Sequence, residues 1–162
     1  PEKMSECVSE ILRISMFSFQ YFHIPRTLSR DYCTRALQAL EKVIKKPQKG
    51  IIHLIVIGPE EMAGMNQQYR GKEGPTDILT FSYLEKKSKF ENRSSKIEVA
   101  GEIYLCLEKI KSYAKDAGKT YKEQLEYIII HGLVHLMGYD HETDVDWREM
   151  EKVEKKVQLL LK

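Results

Sequence analysis

In residues 14 to 22, ISMFSFQYF, the aromatic positions Phe17, Phe19 and Tyr21 recur at every second residue. That period predicts a half-buried first strand, which Pro25 ends. The pattern then changes. From about Ser29 to Lys46, the apolar residues Tyr32, Ala36, Leu37, Leu40, Val43 and Ile44 return at helical spacing until Pro47 and Gly50 stop it, which predicts an amphipathic helix. IIHLIVI, residues 51 to 57, is a continuous β-branched run of strand length. Such a run fits a central strand covered on both faces.

Pro59 suits the first turn of a short helix, with Glu60 and Glu61 beside it and Met62, Met65 and Tyr69 on one face. Turn residues GKEGPTD lead into the strand ILTFSYL. Residues 85 to 98 are polar and slightly basic, with almost no apolar anchor, and are expected to form a mobile loop. The strand VAGEIYL follows, and then a helix ending at Gly118. Another helix opens with the capping box Thr120 to Glu123 and runs to Gly138; a second such box, Thr143 to Asp146, opens a C-terminal helix.

This order predicts an α+β fold, a mixed central sheet of about four strands packed with helices. No internal repeat interrupts it. At 162 residues and 42% hydrophobic content, residues 1 to 162 are expected to form one domain with a real core. The formal charge of +2 does not announce a nucleic-acid partner, so any basic surface must be local. Cys7, Cys33 and Cys106 are odd in number and far apart, and read as reduced cytosolic thiols. No apolar run approaches the roughly 18 to 20 residues of a membrane span, and the N-terminus lacks a basic head with an apolar middle. A cytoplasmic protein without membrane contact is expected.

The chemistry concentrates in HGLVHLMGYDH, residues 131 to 141, which holds three of the five histidines. Residues four apart in a helix are offset by about 40°, so His131 and His135 project side by side. Gly138 permits the left-handed turn that lets the chain fold back and bring His141 alongside. Three nitrogens with one open position is the arrangement of catalytic zinc, whereas a structural site usually closes with a fourth ligand. Nickel, copper or iron suits the same nitrogens. The flanking run of Leu125, Ile128, Ile129, Ile130, Leu133, Val134, Leu136 and Met137 makes this helix apolar nearly all round, a zincin-like metal helix inside the core. His23 and His53 lie far away and read as packing or surface residues.

The spacing coincides with the HExxHxxGxxH pattern of metzincin proteases, except that Gly132 stands where those enzymes carry the glutamate that activates water. The whole motif, HGxxHxxGYDH, instead resembles that of the YbeY family of metal-dependent endoribonucleases. NQQYRGKEGPTDILTF, residues 66 to 81, is similar to that family's NxxYRxKxxxTDVLSF segment. GEIYL, residues 101 to 105, is similar to its GDI strand, with Glu102 in place of Asp.

The resemblance implies that His131, His135 and His141 hold one metal ion per chain, with His131, His135 and Arg70 carrying the catalysis. A phosphodiester under attack gathers negative charge that a divalent cation and a bidentate guanidinium both stabilise. It implies single-strand-specific cleavage of ribosomal RNA at the small-subunit 3′ end, ribosome quality control, and ribosomal proteins or assembly GTPases as partners. Two nucleophiles stay open, water and the neighbouring 2′-hydroxyl. Asp140 either orients a histidine or fixes the turn before His141, and Thr76 with Asp77 either holds the arginine loop or merely starts a strand. Lys109, Lys111, Lys115, Lys119 and Lys122, with Lys86, Lys87, Lys89 and Arg93, are candidate phosphate contacts, although acidic residues interrupt them. Two other functions compete: a metallopeptidase using Glu102 as its base, and a ribosome-assembly module whose metal is structural.

Overall fold

The computed structural model describes residues 16–44, 49–84 and 98–162. The start of the expected first strand and nearly all of the expected 85–98 loop, with Lys86, Lys87, Lys89 and Arg93, lie outside these residues. Among the described residues nine elements follow one another: β1 (Phe17–Phe22), α1 (Arg30–Val43), β2 (Gly50–Val56), α2 (Pro59–Arg70), β3 (Ile78–Ser82), β4 (Val99–Leu105), α3 (Leu107–Asp116), α4 (Tyr121–Leu136) and α5 (Asp144–Leu161). The strands form one sheet in the order β1-β2-β4-β3. β1, β2 and β4 are parallel, and β3 runs antiparallel along β4. This is the expected α+β arrangement of a mixed four-stranded sheet with helices.

Helix α1 begins where the Ser29 hydroxyl accepts the Tyr32 N–H at 3.1 Å, and it buries Cys33, Ala36, Leu37 and Leu40. It makes the crossover that two parallel neighbours require. In β2, Ile52 and Leu54 are fully buried while Ile51, His53 and Ile55 are only half-buried. The expected cover on both faces is therefore complete on one face and partial on the other. The inner face carries α1, α4 and α5 in one apolar core. On the outer face α2 covers one part, with Met62 packed beside Leu79, Ile57 and Cys106.

Helix α4 lies deepest. Thr120 and Glu123 form the expected reciprocal capping box at its start. Ile130, Leu133 and Leu136 are almost wholly excluded from solvent, each worth about 1.5–3 kcal/mol of transfer free energy. A glycine inside a helix costs about 1 kcal/mol relative to alanine, yet Gly132 sits where α4 comes closest to the sheet. A Cβ there would lie 2.5 Å from Ile78 Cδ1 and 3.3 Å from Ile103 Cγ2. On the strand side, a Cβ on Gly101 would run into the Phe81 carbonyl and lie 2.9 Å from Leu136 Cδ1. The Ser82 hydroxyl then reaches the Leu136 carbonyl at 2.8 Å, satisfying a free acceptor at the helix C-terminus. Close docking thus fixes the end of α4 against the sheet. Among the described residues no helix is long and apolar enough to cross a membrane.

Candidate metal centre

The last turn of α4 explains how a third imidazole joins the first two. Gly138 takes a left-handed conformation at φ 88°, its N–H bonds the His135 carbonyl at 2.9 Å, and the Tyr139 N–H bonds the Val134 carbonyl at 3.4 Å. This is a Schellman end, available here because glycine carries no Cβ. The Asp140 carboxylate accepts the His141 N–H at 2.8 Å and turns the chain back. His131, His135 and His141 converge, with one nitrogen from each lying within 4.8 Å of the others.

Two of the rings are oriented from outside the cluster. His131 Nδ1 is 2.7 Å from a carboxylate oxygen of Glu154, a residue of α5 only 7% exposed. His135 Nδ1 is 2.9 Å from the Tyr139 carbonyl. A carbonyl only accepts, so His135 Nδ1 carries the proton and leaves the Nε2 lone pair unprotonated; an ionised Glu154 imposes the same tautomer on His131. Burial, then the neighbouring charges of His131 and His141, push the His135 pKa down to about 4, so that imidazole is neutral near pH 7. Clustered imidazoles with outward nitrogens held by acceptors are a donor set that fits zinc or a similar divalent ion.

The Asp140 carboxylate lies 3.9 Å from His135 Nδ1, too far for a hydrogen bond, so the turn is what it holds. Glu154, which lies outside the histidine motif, is the residue beside this site that motif reading missed. Met150, Val153 and Val157 form the buried stripe of α5, and Glu154 occupies a position of that stripe. An acid at an apolar position is the signal that could have found it, since a buried carboxylate requires a partner.

Glu102 lies on the other side of the sheet. Its neighbours Gly101 and Ile103 face α4, so Glu102 points away by strand alternation. There it accepts from Tyr83 and Tyr104 at 3.0 and 3.1 Å and sits 3.4 Å from His53 Nδ1. It cannot serve as a base at the histidines, which removes the residue the peptidase reading needed. His23 is an exposed loop residue at φ 55°.

Arg70 is the exposed last residue of α2, followed by Gly71 in the left-handed conformation. It is not among the residues lining the cavity beside the histidines. The loop after it is held by Asn66, whose amide donates to the Gly74 carbonyl at 2.8 Å, while the Thr76 hydroxyl donates to the Asp77 carboxylate at 3.1 Å. Burial first, and then the charges of Glu154, Asp77 and Glu151, raise the pKa of Tyr127, whose ring lies 5.7 Å from that of His131. Of the lysines singled out, Lys119 borders the cavity, Lys109 lies over Tyr113, and Lys122 pairs with Glu126. Lys111 and Lys115 are exposed on α3.

The sequence profile of the family described as Endoribonuclease YbeY matches residues 18–161. The chain belongs to the YbeY endoribonuclease family. Among its relatives, the YbeY endoribonuclease of Thermodesulfovibrio yellowstonii is 38% identical over 135 residues, covering 83% of this chain and 81% of the relative. That of Thermotoga maritima is 36% identical over 122 residues, covering 74% and 73%. The solution structure of a protein from Thermotoga maritima superposes with a TM-score of 0.54 at 27% identity, over 86% of this chain and 89% of that one. The match to the family spans α2 with its arginine loop, α4 with its histidines, and α5 with Glu154.

Proposed function

We propose that this chain is a metal-dependent, single-strand-specific endoribonuclease that acts in the cytoplasm on ribosomal RNA, in maturation of the small-subunit 3′ end and in ribosome quality control. Ribosomal proteins or assembly GTPases are the partners that this task implies. The observation that carries the reading is the convergence of His131, His135 and His141 with the outward nitrogens of two of them already engaged.

In this reading His131, His135 and His141 hold one zinc ion, or nickel or another divalent cation in its place. Bound there, the cation supplies Lewis acidity toward a phosphoryl oxygen or a water. Glu154 and the Tyr139 carbonyl keep the imidazoles in the ligating tautomer. Arg70, exposed at the end of its helix, offers parallel N–H donors to the phosphate as charge accumulates. Gly132 has no proton to move and Glu102 is across the sheet, so the attacking oxygen is deprotonated without a carboxylate base at either position.

Cleavage of a single-stranded RNA by wild type, His135→Ala and Arg70→Ala, all checked for folding by circular dichroism, tests this. We expect each variant to lose roughly 100-fold or more in rate. Equal residual cleavage in all three would identify a contaminant and sink the assignment. The product ends separate the nucleophiles, since attack by water leaves no cyclic phosphate and attack by the 2′-hydroxyl does. Elemental analysis of protein purified without an affinity tag names the metal.

A further inference from the structure

Beside the histidines lies a cavity of about 250 Å³ whose walls come from α4, α5, the turn before α4 and the loop between the two helices. His131 and His141 form one side; Tyr127, Trp147, Lys119 and Gln158 line the rest. Trp147 is the unusual member. Met150, Val153 and Val157 on the same helix are buried, whereas the indole is 52% exposed at the cavity wall. An exposed indole beside a polar cleft holds apolar surface ready for a planar occupant.

Charge in the cavity is divided. Glu154 is engaged by His131, and Glu151 by Lys155 at 2.8 Å. Lys119, with its ammonium 5.4 Å from the centre of the Tyr127 ring, forms no ion pair among the described residues. The cavity therefore offers an aromatic face, in Lys119 an ammonium outside ion-pair distance of the described carboxylates, and in Gln158 an amide able to both donate to and accept from a base edge. Its volume admits one base-sized group, which a duplex does not release without unstacking.

We infer that this cavity seats one nucleotide of the RNA strand next to the cleaved bond, its base against the Trp147 ring and its phosphate toward Lys119. The inference rests on the endoribonuclease reading and adds to it the residues that position the strand. Base stacking on an aromatic side chain is sequence-tolerant, because every base has a π-face. The seat therefore selects single strands over duplexes and discriminates little among bases.

Trp147 is the only tryptophan in the chain, so its fluorescence reports this one place. The full-length protein is titrated with a 2′-O-methyl single-stranded oligonucleotide, its duplex, and an oligonucleotide of the same length with abasic sites. We expect saturable quenching by the first alone. Trp147→Ala should weaken binding about ten-fold or more, measured by anisotropy of a labelled strand, and raise KM with little change in kcat. Trp147→Phe should keep most of the affinity, and Lys119→Ala should reduce the salt slope of binding by about one. His135→Ala should still be quenched while losing cleavage. Equal quenching by the abasic strand, or unchanged affinity and KM in Trp147→Ala while wild type cleaves, would overturn the seat and leave the nuclease standing. Quenching by an acidic peptide and not by RNA would also overturn it. Cleavage alike in wild type and His135→Ala, with quenching intact, would remove the nuclease and leave the base seat.

Discussion

The two faces of the sheet each carry a histidine beside a glutamate, and the two pairs differ in their surroundings. On the helix side His131 Nδ1 is 2.7 Å from Glu154; on the outer side His53 Nδ1 is 3.4 Å from Glu102. Both imidazole side chains are 18% exposed, so burial of the ring does not distinguish them. The surroundings do. Glu154 has its oxygen on an imidazole that converges with two more, while Glu102 also serves two tyrosines and His53 borders Phe22. A His-Glu pair becomes a candidate metal site only where the chain delivers further nitrogens to the same point, and here a glycine-terminated helix delivers them.

Metal removal tests that contrast most strongly. His135→Ala should abolish stoichiometric zinc binding in calorimetric titration, and His53→Ala should retain it. Glu154→Gln should lower zinc affinity about ten- to 100-fold, the usual cost of losing the partner that orients a ligating histidine. Glu102→Gln should leave that affinity unchanged. Equal weakening by Glu102→Gln and Glu154→Gln would break the distinction between the faces.

Much of the helix-side site was legible in the chain because its logic is local. Four-residue spacing, one helix and one glycine bring His131, His135 and His141 together, and the capping box at Thr120 marks the helix start. Glu154 was not legible from the motif, since its contact spans 23 residues and depends on how α5 docks. Cover of β2 was misjudged for a related reason: a β-branched run states that a strand is interior, while the identity of the element above each face is a tertiary fact. Gly132 was read as the loss of a base, and the structure adds that α4 needs it to reach the sheet.

Two helical glycines turn that last point into a measurement. Gly132 faces Ile78 and Ile103, whereas Gly64 in α2 has nothing within 4 Å of its would-be Cβ. Alanine at either position gains about 1 kcal/mol of helix propensity. At Gly132 overpacking should cost about 1–3 kcal/mol, for a net loss of up to about 2 kcal/mol. Gly64→Ala should instead stabilise by about 0.5–1 kcal/mol. Urea midpoints with an unchanged m-value decide both signs, and stabilisation by Gly132→Ala would mean that the helix does not need its glycine to dock.

The smallest effect belongs to the outer face. Tyr83 and Tyr104 donate to the same Glu102 oxygen, and their pKa values are pushed up to about 12, first by burial and then by that carboxylate. An unfolded tyrosine titrates near 10. Between about 10 and 12 the unfolded chain has already released protons that the folded chain still holds. The stability these phenols contribute is therefore complete below pH 10 and is lost as the pH rises through 12. In Glu102→Gln the charge is gone but burial remains, so both phenols should ionise at lower pH, still above 10, and the stability lost above pH 10 should be smaller and complete at a lower pH. Phenolate absorbance against pH reads this directly, with zinc binding as the internal control. Unchanged phenol titration in Glu102→Gln would show that the carboxylate does not hold the tyrosines, and the outer pair would then lack even the structural role that its geometry gives it.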